Sequence, residues 1–127
     1  LAHFFTEKEG AVILNSEGKT GETGCWGKAA RWVDYSTKIS QESLGITILD
    51  HPQSFRHPTY WHARGYSLFA ANPFGLHDFY NDETQDGSHL MKQGDSISFH
   101  YRIYIHPVNA IPSDIEKEYR SFSKTSQ

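Results

Sequence analysis

Between Ser96 and His106 the chain alternates without a break. Ile97, Phe99, Tyr101, Ile103 and Ile105 fall on one parity, and Ser98, His100, Arg102, Tyr104 and His106 on the other. Successive side chains of a strand point to opposite faces, so this spacing specifies a half-buried strand with one apolar and one polar face. An apolar strand face needs a second layer to cover it, which commits the chain to a layered β architecture.

The rest of the sequence agrees. Ala11 to Leu14 is a short apolar run closed by the turn composition Asn15-Ser16-Glu17-Gly18. Residues 18–27 hold four glycines and read as a loop. Ala30 to Tyr35 is aromatic and β-branched, and Leu44 to Leu49 is nearly all apolar, as in a strand covered on both faces. Tyr66 to Ala71 is a further strand candidate, ended by Asn72-Pro73-Phe74-Gly75. After Pro112, the pair Ser113 and Glu116 reads as a capping box, with Ile115, Tyr119 and Phe122 at helical spacing. The expected fold is mainly β, an antiparallel β-sandwich with one C-terminal helix over 113–124. Residues 1–127 form a single domain or the C-terminal part of a larger one.

Composition narrows the function classes. A formal charge of -3 without a Lys/Arg run argues against nucleic acid or an anionic membrane as partner. No apolar stretch approaches the roughly 20 residues that span a bilayer, and nothing at the start reads as a signal peptide. Cys25 stands alone, so no internal disulfide can form. The start at Leu1, without a methionine, reads as a segment of a longer protein whose N-terminal half is the expected partner. A sandwich cut through its sheets would expose strand edges and dimerise or aggregate.

Residues 50–64 concentrate the candidate chemistry. Asp50, His51, Arg56, His57, Trp61, His62 and Arg64 fall in this stretch, with Pro52 and Pro58 each following a histidine. Proline fixes φ and removes a donor, so the segment reads as a rigid, irregular loop. The three histidines are spaced unlike any standard zinc pattern. They line a polar ligand pocket, hold loop carbonyls and carboxylates, or gather a metal ion. Arg56 and Arg64 offer planar forks for a carboxylate or paired sugar hydroxyls, or form ion pairs with Asp50 or Asp34. Trp61, with Tyr60 and Tyr66 nearby, stacks on the C–H face of a sugar ring or packs the core. On the last strand, His100, Arg102, Tyr104 and His106 share one face, a candidate binding surface. Arg31, Asp34 and Tyr35 form a third cluster, in which Asp34 is a carboxylate suited to acid/base work or to an ion pair with Arg31. There is no G-x-S-x-G, phosphate loop, dinucleotide fingerprint or Cys-x-x-Cys pair, and no cofactor is expected.

Several of these runs together resemble a bacterial family labelled PmoA-like, or "methane oxygenase PmoA". They are Trp26-Gly27-Lys28-Ala29-Ala30-Arg31-Trp32-Val33-Asp34-Tyr35, Gly45-Ile46-Thr47-Ile48-Leu49-Asp50-His51-Pro52, Arg56-His57-Pro58-Thr59-Tyr60-Trp61-His62-Ala63-Arg64, Asn72-Pro73-Phe74-Gly75 and Tyr101-Arg102-Ile103 with His106. The chain departs from that pattern at Gln53-Ser54-Phe55, where the family often carries an asparagine, and at Thr37, where it carries a glycine. The resemblance implies the C-terminal half of a longer protein, a sandwich akin to galactose mutarotase-like proteins, and a setting rich in carbohydrate degradation. The membrane oxygenase behind the label needs transmembrane helices, which this sequence does not encode.

The expected function is therefore the binding or processing of a sugar or sugar acid. Catalysis would fall to His51 or His57 with Asp34 or Asp50. Arg31, Arg56, Trp61, His62, Arg64, His100 and Arg102 would bind the substrate. The alternatives are a non-catalytic glycan-binding module, and a metal-dependent oxygenase using the three histidines.

Overall fold

The computed structural model describes residues 1–107 and 111–126. In chain order the elements are β1 (Val12–Asn15), α1 (Gly21–Cys25), β2 (Trp32–Ile39), β3 (Glu42–Asp50), β4 (Trp61–Arg64), β5 (Leu68–Ala71), α2 (Leu76–Tyr80), β6 (Tyr101–His106) and α3 (Pro112–Ser123). All strand pairs are antiparallel. Four strands form a sheet in the order β1-β2-β3-β6, and β4 and β5 form a second, smaller sheet. The fold is an open β-sandwich with one C-terminal helix, as the sequence pattern predicts.

Strand register sorts the side chains into two faces. Ile13, Val33, Tyr35, Ile46 and Ile48 share one face of the large sheet and pack against Trp61, Ala63, Phe69 and Ala71 of the small one, with Phe5, Cys25 and Ala30 closing the cluster. Leu14, Trp32, Leu49 and Tyr104 share the other face and meet Ile115, Tyr119 and Phe122 of α3. The result is three layers, the small sheet, the large sheet and α3, with β2 buried on both sides. Alternation along α3 at helical spacing supplies the stripe that the second face requires.

Five expectations need correction. The helix begins at Pro112, one residue before 113, and Ser113 with Glu116 does not cap it. The amide of Ile111 donates to Asp114 Oδ2 at 3.1 Å instead, because Glu116 is drawn away to Arg31 and Trp32. Residues 21–25, expected as loop, make a short helical turn. Part of the 50–64 loop, Trp61–Arg64, is a strand. Trp61 is wholly buried, and its Nε1–H donates to the Ala30 carbonyl at 2.9 Å, so it is a core residue and not a stacking platform.

The fifth correction concerns the alternating segment. Only Tyr101–His106 is strand, and its faces are inverted relative to expectation. The polar parity is the covered one, with His106 buried, whereas Ile103 and Ile105 are 57% and 65% exposed. The cause is α3, which packs on the polar side, while the small sheet stops short of β6 on the other.

Trp61 supports both the core and a buried carbonyl. Trp61→Ala should therefore cost about 3–5 kcal/mol in urea unfolding, and Leu90→Ala, at a site 82% exposed, should stay within about 0.5 kcal/mol.

Candidate acid/base site

Asp50 is the last residue of β3, and the 51–60 loop folds back over it. Its carboxylate is fully buried. Asp50 Oδ2 accepts from the Thr59 amide at 3.0 Å and lies 2.8 Å from His57 Nδ1. A carboxylate only accepts, so His57 Nδ1 carries the proton and Nε2 presents its lone pair. That nitrogen lies 3.5 Å from the Tyr119 hydroxyl of α3, and the imidazole retains 17% exposure. A buried acid orienting an accessible imidazole is the arrangement that stabilises an imidazolium after proton abstraction. Asp50 Oδ1 has no hydrogen-bond partner and is buried, an orphan acceptor beside this dyad.

The surroundings tune Tyr119 and Glu116. Burial pushes the Tyr119 phenol up, against the pull of Arg31, while Asp50 and Glu116 push it further. It therefore stays protonated at neutral pH and can donate. The Arg31 guanidinium sits 5.4 Å from the Tyr119 ring centroid. Arg31 Nη2 donates to both Glu116 oxygens at 3.1 and 3.2 Å, and Trp32 Nε1 donates to Oε2 at 2.9 Å. Burial alone would raise the Glu116 carboxyl, but these donors and the Arg31 charge hold it below the usual carboxylate range. Arg31, Ser113, Glu116 and Arg120 line a cavity of about 420 Å³ beside the start of α3. Its two guanidinium groups and one carboxylate suit a polar, anionic group.

A second buried network lies under the large sheet. Thr47 Oγ1 donates to Asp34 Oδ1 at 2.8 Å, and His106 Nε2 lies 2.8 Å from the same oxygen. His106 Nδ1 donates to the Pro107 carbonyl at 2.8 Å. With the Thr47 proton spent on Asp34, the His106–Asp34 contact itself needs a proton, held by imidazolium or by carboxylic acid. Gly45 makes this possible, because a Cβ there would collide with the His106 ring. His106 is 1% exposed at its side chain, so the network is enclosed.

The remaining candidates have structural partners. His51 is 1% exposed, accepts from the Gln53 amide through Nδ1 at 3.1 Å and packs 4.9 Å from Phe122. Arg56 adopts φ 59° and donates to the carbonyls of Pro73, Gly87 and Ser88, tying the 73–88 segment to the loop. His62 packs between Trp26 and Phe79. Arg64 Nε lies 3.0 Å from Glu22 Oε1 without hydrogen-bond alignment, and its guanidinium covers Trp26. His100 packs toward His51, and Arg102 pairs with Glu118 at 2.7 Å over the Phe122 ring. These two do not form an open binding face, because α3 covers it. His51, His57 and His62 occupy three different environments. Among the described residues no three His, Cys, Asp or Glu side chains gather as a metal ligand set.

Tyr119, Glu116 and Thr47 escape a motif reading, since each acts across a long sequence separation. So does a cleft of about 360 Å³ formed by Glu22, Thr23, Trp26, Lys28, Phe79 and Tyr80. Trp26 Nε1 is buried there without a partner, and Tyr80 is 46% exposed. No described helix is long and apolar enough to cross a membrane.

A family model described as "Family of unknown function (DUF6807)" matches residues 1–120. No curated protein and no solved structure matches the chain.

Burial raises the Asp34 carboxyl above 3.8, opposed by hydrogen bonds from Thr47 and His106 and by the His106 charge. A raised native pKa means the folded state keeps a proton that the unfolded chain has lost. The Asp34 contribution to stability therefore falls as pH rises above 3.8 and levels off once the native carboxyl ionises. Asp34→Asn cannot titrate, so urea unfolding from about pH 3.5 to about pH 7 should show the variant gaining on the wild type across that window. Parallel curves would contradict the assignment.

Proposed function

We propose, for a chain that belongs to the family of unknown function DUF6807, that it binds a sugar or sugar acid and acts on it by proton transfer at His57. The observation that carries the reading is the fully buried Asp50 carboxylate 2.8 Å from Nδ1 of the partly exposed His57, with Nε2 3.5 Å from the Tyr119 hydroxyl. The resemblance to PmoA-like proteins supports the carbohydrate class. In this reading His57 Nε2 takes a proton from a carbon or hydroxyl of the substrate, and Asp50 stabilises the imidazolium that results. Tyr119 returns a proton to the departing or developing oxygen. Arg31 and Arg120 hold a carboxylate of the substrate in the cavity beside α3. Elimination fits this division of labour, and hydrolysis follows when His57 takes its proton from an attacking water and Tyr119 protonates the leaving oxygen.

The aromatic cleft favours a second reading, a non-catalytic glycan-binding module. Trp26, Phe79 and Tyr80 offer ring faces and edges, and Lys28, Glu22 and Thr23 offer hydrogen-bonding groups, a pairing suited to the apolar face and hydroxyls of a sugar ring.

A panel of sugars and sugar acids, assayed for both binding and turnover, separates the two. Under the catalytic reading, His57→Asn and Tyr119→Phe lower turnover by roughly 10²–10⁴-fold while the ligand still binds and the melting temperature of Tyr119→Phe holds. Under the module reading no turnover is found, and Tyr80→Ala abolishes binding.

A further inference from the structure

His57 Nε2 and the Tyr119 hydroxyl lie 3.5 Å apart. A base and an acid this close address the same face of a bound ring. The hydrogen removed and the oxygen protonated must then be cis on neighbouring carbons. Their proximity also closes the proton balance, since an imidazolium at Nε2 can hand its proton to the phenolate it faces.

The cavity beside α3 adds a second requirement. Glu116 is the only carboxylate among the described residues lining it, and both its oxygens are occupied, Oε1 by Arg31 Nη2 and Oε2 by Arg31 Nη2 and Trp32 Nε1. That contact balances Arg31, and Glu17 approaches its Nη1 only to 4.0 Å from outside the lining. Arg120 has no such balance. Among the described residues no carboxylate comes within ion-pair distance of it, and its charge reaches Glu116 only through space. The cavity therefore offers an uncompensated guanidinium and no free carboxylate oxygen, which suits an anionic ligand group. Arg31 lies 5.4 Å from the centroid of the Tyr119 ring, so that anion is held next to the proton-transfer pair.

A carboxylate bonded to the carbon that loses its proton joins the two features. Left ionised and unpaired, it opposes removal of that proton, because negative charge would gather beside a charge already present. Paired with guanidinium, it accepts the developing charge instead. Resting on the acid/base reading above, we infer that the reaction is β-elimination on a 4-O-linked uronic acid whose H5 and O4 share one face of the ring. The D-gluco and D-manno configurations meet that condition, and D-galacto does not. His57 Nε2 removes H5, and the C5–H electrons become the C4=C5 double bond. The C4–O bond breaks with its electron pair leaving on oxygen, which Tyr119 protonates. The imidazolium then returns a proton to Tyr119, so neither water nor a co-reactant is consumed. Arg120 sets the requirement for an acid.

The test incubates the full chain with oligosaccharides of D-glucuronate, D-mannuronate or D-galacturonate and follows two products, the ultraviolet absorbance of the conjugated double bond and new reducing ends. Absorbance is expected with the gluco or manno substrate, not with the galacto one, and is lost in His57→Asn. Arg120→Gln should lower kcat/KM by roughly tenfold to a hundredfold at an unchanged melting temperature. It should also erase the wild-type preference for the free acid over its methyl ester, which a merely structural role would leave in place. Reducing ends without new absorbance would overturn the inference while the acid/base reading stands. Elimination on galacturonate alone, or an Arg120→Gln variant that keeps the preference, would do the same. Absence of turnover on every saccharide would overturn both.

Discussion

Everything in this domain is arranged around a central strand that has no exposed face. Trp32, Val33, Asp34 and Tyr35 of β2 are all at most 4% exposed, so each side of the large sheet must be covered by its own layer. The small sheet covers Val33 and Tyr35, and α3 covers Trp32. Asp34 is the exception that this burial creates, since an unpaired carboxylate in such a place would be costly. Thr47 on the adjacent β3 and His106 on β6, one strand further, converge on it, and Gly45 leaves space for the imidazole. One buried strand thus dictates a glycine and a threonine on β3 and a histidine on β6.

The same logic positions the candidate acid/base site. The large sheet ends at Asp50, and the loop that follows must return across its edge to begin β4. In doing so it delivers the Thr59 amide and the His57 ring to one carboxylate oxygen. Arg56 anchors the loop from outside through three carbonyls, so the residue that looks most like a ligand for substrate serves as a structural clamp. Because α3 is needed to bury Trp32 and Leu49, it also brings Tyr119 to His57 and Glu116 to Arg31. Core packing and site geometry are therefore the same contacts seen from two sides.

Much of the architecture was legible in local pattern. The apolar runs at 11–14, 30–35 and 44–49 are strands within a residue or two at most ends, and the spacing of Ile115, Tyr119 and Phe122 located α3. Local pattern failed where the answer depended on a distant partner. The Ser113–Glu116 capping box fits the sequence rule, but Glu116 finds stronger donors in Arg31 and Trp32. Trp61 could stack or pack, and only its place beneath β2 decides for packing. The three histidines crowd together in sequence, yet loop geometry sends each to a different neighbour.

By itself the amino-acid sequence determined that this chain builds antiparallel strands with a terminal amphipathic helix, because side-chain periods of two and of 3.6 are properties of the backbone. It also placed Asp50 and His57 close together in one proline-constrained stretch, which kept them near each other in the chain. Tertiary structure alone decided which face of β6 is covered, because that depends on where α3 and the small sheet come to rest. It alone decided that His57, and neither His51 nor His62, meets a buried carboxylate, because that contact arises only when the 51–60 loop folds back over the end of β3.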